Sequence, residues 1–257
     1  MSEVAISQFV GEFFGTTLLL LLGDGVVANV LLTRTKGQNT GWMAITWGWG
    51  IAVFVAVLAC AEFSGAHINP AVTVGLASAG EFPWENVPHY LLAQLLGAMF
   101  GATLVWLHYH PHWNLTEDKD LKLAVFSTGP AVRSPLFNLT SEIIGTCVLV
   151  FAVLYAAKPQ LAGPDGTPGG LGALDALPVG LVVFAIGVSL GGTTGYAINP
   201  ARDLGPRIMH AILPIPGGKR DSDWGYSWIP VVGPILGGLL AAALFQLIGE
   251  PMIDTGS

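Results

Sequence analysis

Asn69-Pro70-Ala71 returns as Asn199-Pro200-Ala201, 130 residues further along the chain. The same offset joins Glu12-Phe13-Phe14-Gly15-Thr16 to Glu142-Ile143-Ile144-Gly145-Thr146. Two unrelated landmarks with one spacing mark a duplicated unit. The expected repeats cover residues 1–108 and 138–248, joined by a connector at 109–137.

The tripeptide has a physical reading. Pro fits the first turn of a helix, where its missing N–H leaves no hydrogen bond unmade. Asn before it is a favoured N-cap, because its side-chain oxygen accepts an orphan backbone N–H. Each copy therefore reads as the start of a helix, with the NH2 group of the capping amide free to point outwards as a donor. One such motif alone would be an ordinary capped helix; two at equivalent places in an apolar chain are not.

The 257 residues are 52% hydrophobic and 11% charged, with mean hydropathy +0.62. Soluble domains carry roughly 25% charged residues, so the chain reads as an all-α membrane protein. A net charge of −7 argues against nucleic-acid binding. Cys60 and Cys147 lie in apolar segments and read as packing residues, so neither disulfide nor zinc is implied. Glu3 and Glu12 stand where a cleaved signal would be basic, and no small-residue cleavage site follows Leu18–Leu22, so the first apolar run is expected to stay.

A membrane-crossing helix needs about 20 mostly apolar residues. Six stretches qualify: 6–32, 42–61, 86–108, 138–157, 178–195 and 228–248. Gly23-Asp24-Gly25 interrupts the first and reads as a close-packing or widening point. The connector from Tyr109 to Phe137 holds a cluster of charge, and another from Lys158 to Ala176 is rich in Gly and Pro. Small residues crowd the third and sixth spans, as packing in lipid requires. Leu96-Gly97-Ala98 and Leu236-Gly237-Gly238 lie 140 apart, which places about ten extra residues after the second motif, in Pro214 to Tyr226.

Residues 69–79 and 199–212 remain, helical by their caps but short. Eleven residues at 1.5 Å each reach about 16 Å, half of a 30 Å hydrocarbon core. Half-helices at that depth are tolerated only where they are buried or line a water-filled cavity. Three full spans per repeat is an odd number, so the second copy enters upside down and the two half-helix N-termini meet at the midplane. Helix N-termini carry about half a positive charge each. Two of them with two Asn donors welcome oxygen, repel cations and break the hydrogen-bond order that a proton relay needs.

Ser64-Gly65-Ala66-His67-Ile68-Asn69-Pro70-Ala71-Val72-Thr73 and Gly195-Tyr196-Ala197-Ile198-Asn199-Pro200-Ala201-Arg202-Asp203-Leu204-Gly205-Pro206 resemble the signature loops of the major intrinsic protein (aquaporin) family. Within it the chain is similar to the glycerol facilitators. The resemblance implies six transmembrane helices with two re-entrant half-helices in an inverted repeat. It also implies a homotetramer with one pore per subunit, in the plasma membrane, with both termini cytoplasmic.

The resemblance places the pore centre at Asn69, Pro70, Ala71, Asn199, Pro200 and Ala201, and the selectivity arginine at Arg202. Gly187 stands where water-selective members have His, which widens the passage. Trp49 stands where facilitators carry Trp to hold a carbon backbone; Trp47 is the alternative, better read as an interface anchor. Tyr196 departs from the usual Phe and adds a phenolic OH that narrows the pore or favours a more polar solute. Arg207 and Pro230 also match facilitator habits. Glu12 and Glu142 are expected to accept backbone hydrogen bonds from the half-helix loops, with proton coupling the alternative. His67 is expected to brace its loop, or else to act as a pH gate, and Asp203 to support the filter. Glu62 stands near a pore mouth. His108, His110 and His112 alternate in what reads as an extended connector, a weak metal site or simply solvated.

Basic residues mark cytoplasmic loops as a rule. Here Arg34, Lys36, Lys119, Lys122, Arg133, Lys219 and Arg220 fall on the side that the resemblance places outside, with Lys158 alone opposite. The family orientation is preferred, since a channel vestibule can hold basic residues for its own reasons. The expected activity is passive passage of glycerol and water, with urea and similar small uncharged solutes as further candidates and no cofactor. A water-selective channel is the first alternative, an ion-coupled transporter the second and a membrane enzyme a distant third.

Overall fold

A computed structural model describes residues 2–156, 161–162, 168–169 and 172–249. The chain opens with α1 (Glu3–Leu31), α2 (Trp42–Ser64), the short α3 (Pro70–Ala79) and α4 (Val87–His108). Two connector helices follow, α5 (His110–Leu115) and α6 (Lys119–Phe126). Then come α7 (Pro135–Leu154), α8 (Leu177–Leu190), the short α9 (Pro200–Ile212) and α10 (Ile229–Ile248). Six are long and apolar enough to cross a membrane: α1, α2, α7, α10, and α4 and α8 with the 3-10 turns that lead into them. A two-residue ladder pairs Leu161–Ala162 with Pro168–Gly169. Lys158 and much of the Gly- and Pro-rich connector lie outside the described residues.

The caps behave as the side chains dictate. Asn69 accepts from Ala71 N–H, and Asn199 from Ala201 and Arg202 N–H, each with Pro at the first helical position. α8 ends at Leu190, five residues before the expected 195, because Gly191-Gly192 opens a turn closed by Gly195 N–H on the Gly191 carbonyl. Gly23-Asp24-Gly25 does not interrupt α1, since every residue there is helical and Gly23 and Asp24 are buried. Nor is the connector extended. Asp118 caps α6 through Asp120 and Leu121 N–H, and His110 to Leu115 is helical, so the three histidines do not alternate along a strand. No group of three His, Cys, Asp or Glu able to hold a metal occurs among the described residues.

Packing repeats itself across the two halves. α1 lies against α4 and α2, and α7 against α10 and α8. The half-helices cross over, α3 packing on α10 and α9 on α4, while α2 and α8 meet in the middle. Close backbone approach makes this possible. A β-carbon on Gly237 would lie 2.5 Å from the Ile143 carbonyl oxygen, and one on Gly97 would meet the carbonyl of Phe13. Between lipid-soluble helices such contact is the main attraction, since the tails are as apolar as the side chains. Val10, Phe14, Phe63, Leu92 and Phe100 point outwards, whereas Glu12, Glu142, Asn69, Asn199 and Arg202 are buried. Polar groups inside and apolar groups outside suit a lipid solvent.

The segment after α9 folds back on the connector. Lys122 is fully buried and donates to the carbonyls of Pro216 and Gly218. Lys219 donates to the His210, Ala211 and Leu213 carbonyls at the C-terminal end of α9, where a cation suits the helix dipole. Arg220 pairs with Asp120, and Arg133 with Asp223 at 2.6 Å. These cations have structural employment, so their number on that side does not measure orientation.

Candidate functional site

Each half-helix is reached through a loop with an unusual backbone. Gly65, Ala66 and Ile68 have φ of 77°, 50° and 45°; Gly195, Tyr196 and Ile198 have 81°, 39° and 43°. Left-handed conformation costs energy for residues with a β-carbon, most of all for β-branched Ile, and persists only when its surroundings insist. The buried carboxylates supply that insistence. Glu12 accepts from His67 N–H at 2.9 Å and Ile68 N–H at 2.7 Å, and from the Ser64 hydroxyl and the Gln94 amide at 2.7 and 2.6 Å. Glu142 accepts from Ala197 N–H at 3.0 Å, Ile198 N–H at 2.9 Å and the Thr194 hydroxyl at 2.6 Å.

The loops are then tied together. Asn69 Nδ2 donates to the Ile198 carbonyl and Asn199 Nδ2 to the Ile68 carbonyl, both at 2.8 Å. The half-helix N-termini therefore point at each other. The capping amides are not wholly free, because one N–H of each is spent on the opposite loop; an amide has two.

A cavity of about 270 Å³ runs beside this junction. Val53, Val57, Leu149 and Val182 give it aliphatic walls, while Asn69, Asn199 and Arg202 bring donors to it. No carboxylate is among its described wall residues. At its wall, Arg202 lies with its guanidinium carbon 4.0 Å from the centre of a Trp49 ring, and both side chains are buried. Trp47 is half-exposed and packs edge-on against Phe184, away from the cavity.

Tyr196 and Gly187 act as a pair. A β-carbon on Gly187 would lie 2.8 Å from Tyr196 Cζ and 3.0 Å from its hydroxyl, so the phenol fills the room that the missing side chain leaves. Tyr196 lines the cavity and Gly187 lies beneath it. Trp42 completes the seat, donating to the Gly187 carbonyl at 3.1 Å and meeting Tyr196 edge-on.

Of the remaining expected residues, His67 lines the cavity and Asp203 lies off it. His67 Nδ1 lies 3.1 Å from the Thr73 hydroxyl, and its ring packs on Phe82 and Tyr90. Asp203, fully buried, accepts from Thr128 N–H and hydroxyl and from the Arg207 guanidinium at 2.7 and 3.0 Å. Sequence reasoning missed four partners. Ser64 and Thr194 share the repeat offset and hold the two glutamates, a signal that was legible. Gln94 had none. Asp24, taken only as part of a glycine break, has its Oδ1 3.6 Å from Arg202 Nη1; a lone acid in an apolar run was its signal.

Six crossing helices around two half-helices joined at their tips, with a mostly apolar cavity threaded past the junction, define the class: a polytopic membrane protein with re-entrant loops. The chain belongs to the major intrinsic protein family, whose pattern matches residues 1–245. It is 59% identical over 241 residues to a probable glycerol uptake facilitator protein of Thermotoga maritima, covering 94% of this chain and 99% of that one. It is 52% identical to glycerol uptake facilitator protein 3 of Lactiplantibacillus plantarum, covering 96% and 99%. The X-ray structure of the aquaglyceroporin from Plasmodium falciparum superposes with a TM-score of 0.82 at 32% identity, covering 97% of this chain and 99% of that one.

Proposed function

We propose that the protein is a passive channel for glycerol and water, with urea and other small uncharged solutes as further candidates, and that it excludes ions and protons. The observation that carries this reading is the Trp49–Arg202 pair at an aliphatic cavity. A polyol has a carbon side, which the flat ring and the valines accept, and hydroxyls, which the guanidinium and Asn amides bind. The names of the relatives support the solute. Glu12 and Glu142 lie off the described cavity wall, and His67, which is on it, is braced by Thr73, Phe82 and Tyr90, which favours passive flow over ion coupling.

Asn69, Pro70, Ala71, Asn199, Pro200 and Ala201 form the pore centre in this reading, where two helix dipoles oppose cations. Trp49, Gly187, Tyr196 and Arg202 form the filter, and Glu12, Glu142, His67 and Asp203 hold both in place. Residues 1–108 and 138–248 act as the two inverted repeats. The working form is a homotetramer in the plasma membrane with both termini cytoplasmic. Outward apolar side chains such as Phe14 and Phe100 suit lipid or a neighbouring copy.

The test is light-scattering of proteoliposomes in a glycerol gradient, with entry expected well above protein-free vesicles. Glycerol entry at the protein-free rate sinks the reading. Water entry without glycerol entry would select the water-selective alternative, which the Tyr196 ring seated over Gly187 favours.

A further inference from the structure

We infer that Asp24 is a positioning residue for the filter, acting on Arg202 from behind the cavity. The inference rests on the channel reading above. Asp24 is fully buried in α1, and neither carboxylate oxygen accepts a hydrogen bond among the described residues. Its nearest charge is Arg202, with Oδ1 3.6 Å from Nη1, and Nη1 is itself buried without a hydrogen-bond partner. Asp203, next to Arg202 in the chain, is already engaged by Thr128 and Arg207. Arg202 and Trp49 line the cavity and Asp24 does not.

The preceding residue serves the other half of the pair. A β-carbon on Gly23 would run into the Trp49 ring, so the ring rests directly on α1 at this point. One helical step thus sets both filter side chains: Gly23 lets Trp49 in and Asp24 draws the guanidinium back over it.

Removing the carboxylate frees the guanidinium to turn into the lumen, which obstructs a carbon chain more than a water file. Glycerol and water entry are measured on the same proteoliposomes, with inserted protein quantified. Asp24→Asn is expected to lower the glycerol-to-water permeability ratio about fivefold, equivalent to about 1 kcal/mol at 1.4 kcal/mol per decade. In an Arg202→Ala background the same change is expected to leave the ratio where Arg202→Ala alone puts it. A purely structural role would not show that dependence.

An unchanged ratio in Asp24→Asn overturns the inference, and so does an equal loss in the Arg202→Ala background. Asp24→Ser serves as the second variant. If both variants fail to insert, or insert and lose water and glycerol entry alike, Asp24 is a folding residue and the inference falls. Glycerol exclusion by the unmutated protein would instead remove the channel reading itself.

Discussion

Replacing Glu12 by Ala takes the acceptor away from four buried donors: His67 N–H, Ile68 N–H, the Ser64 hydroxyl and the Gln94 amide. The two side chains can turn to other partners, but the two backbone N–H groups cannot. A buried donor left unsatisfied costs about 1–3 kcal/mol, so Glu12→Ala should destabilise by about 2–6 kcal/mol. Glu12→Gln keeps one acceptor oxygen and presents NH2 to the other N–H, which orphans one donor and costs about half as much. Against a total stability of roughly 5–15 kcal/mol, the first loss is severe and the second tolerable. Because these bonds hold Ala66 and Ile68 at positive φ, the loop should relax and displace Asn69 with it. Thermal unfolding in detergent and glycerol entry per inserted protein measure the two effects. The expected order is unmutated protein, then Gln, then Ala, in both assays. Unfolding midpoints within 2 °C (about 1 kcal/mol or less for a chain this size) together with unchanged entry for Glu12→Ala would refute the reasoning.

Gly187→His should force Tyr196 off its seat and lower glycerol entry more than water entry, since the first added atom already meets the phenol; equal loss of both would contradict it. Tyr196→Phe removes a buried hydroxyl that has no hydrogen-bond partner among the described residues, so stability and glycerol entry should stay within about twofold of the parent. Asn199→Asp puts a carboxylate where an amide donates to the Ile68 carbonyl, weakening the cation barrier; a rise in cation conductance in planar bilayers is the expected outcome. Lys219→Met should loosen the end of α9 by about 0.3–1 kcal/mol with little change in solute preference, seen as a lower unfolding midpoint at an unchanged glycerol-to-water ratio.

The frame of the molecule was legible because its signals are local. Asn before Pro fixes a helix start by the chemistry of two adjacent residues, and both half-helices begin where that chemistry says. Runs of apolar residues of spanning length gave the six long helices, with the largest end error at α8, where a Gly-Gly turn stops the helix inside an apolar run. The connector misled because α5 and α6 are short and lean on neighbours: the Trp113 indole donates to the Trp106 carbonyl, and Lys122 reaches the segment after α9.

At the site, the 130-residue offset exposed Glu12 and Glu142 as equivalents and their half-helix loops as donors, but Gln94, which has no partner at that offset, became visible only in space. Asp24 and Arg202 come from opposite ends of the chain, and nothing in either neighbourhood announces the other. Gly187 read as an opening in the wall; whether a missing side chain leaves a hole depends on what packs there, and here Tyr196 does. Local chemistry is written in the sequence, while the filling of space between distant segments follows from packing.

Glycerol uptake into proteoliposomes under an imposed proton gradient, with and without an uncoupler, tests the passive, uncharged path most directly. Equal rates in both conditions, electrical silence and an end point at the outside concentration are what two opposed half-helices should give. Accumulation above the outside concentration, abolished by the uncoupler, would contradict the account.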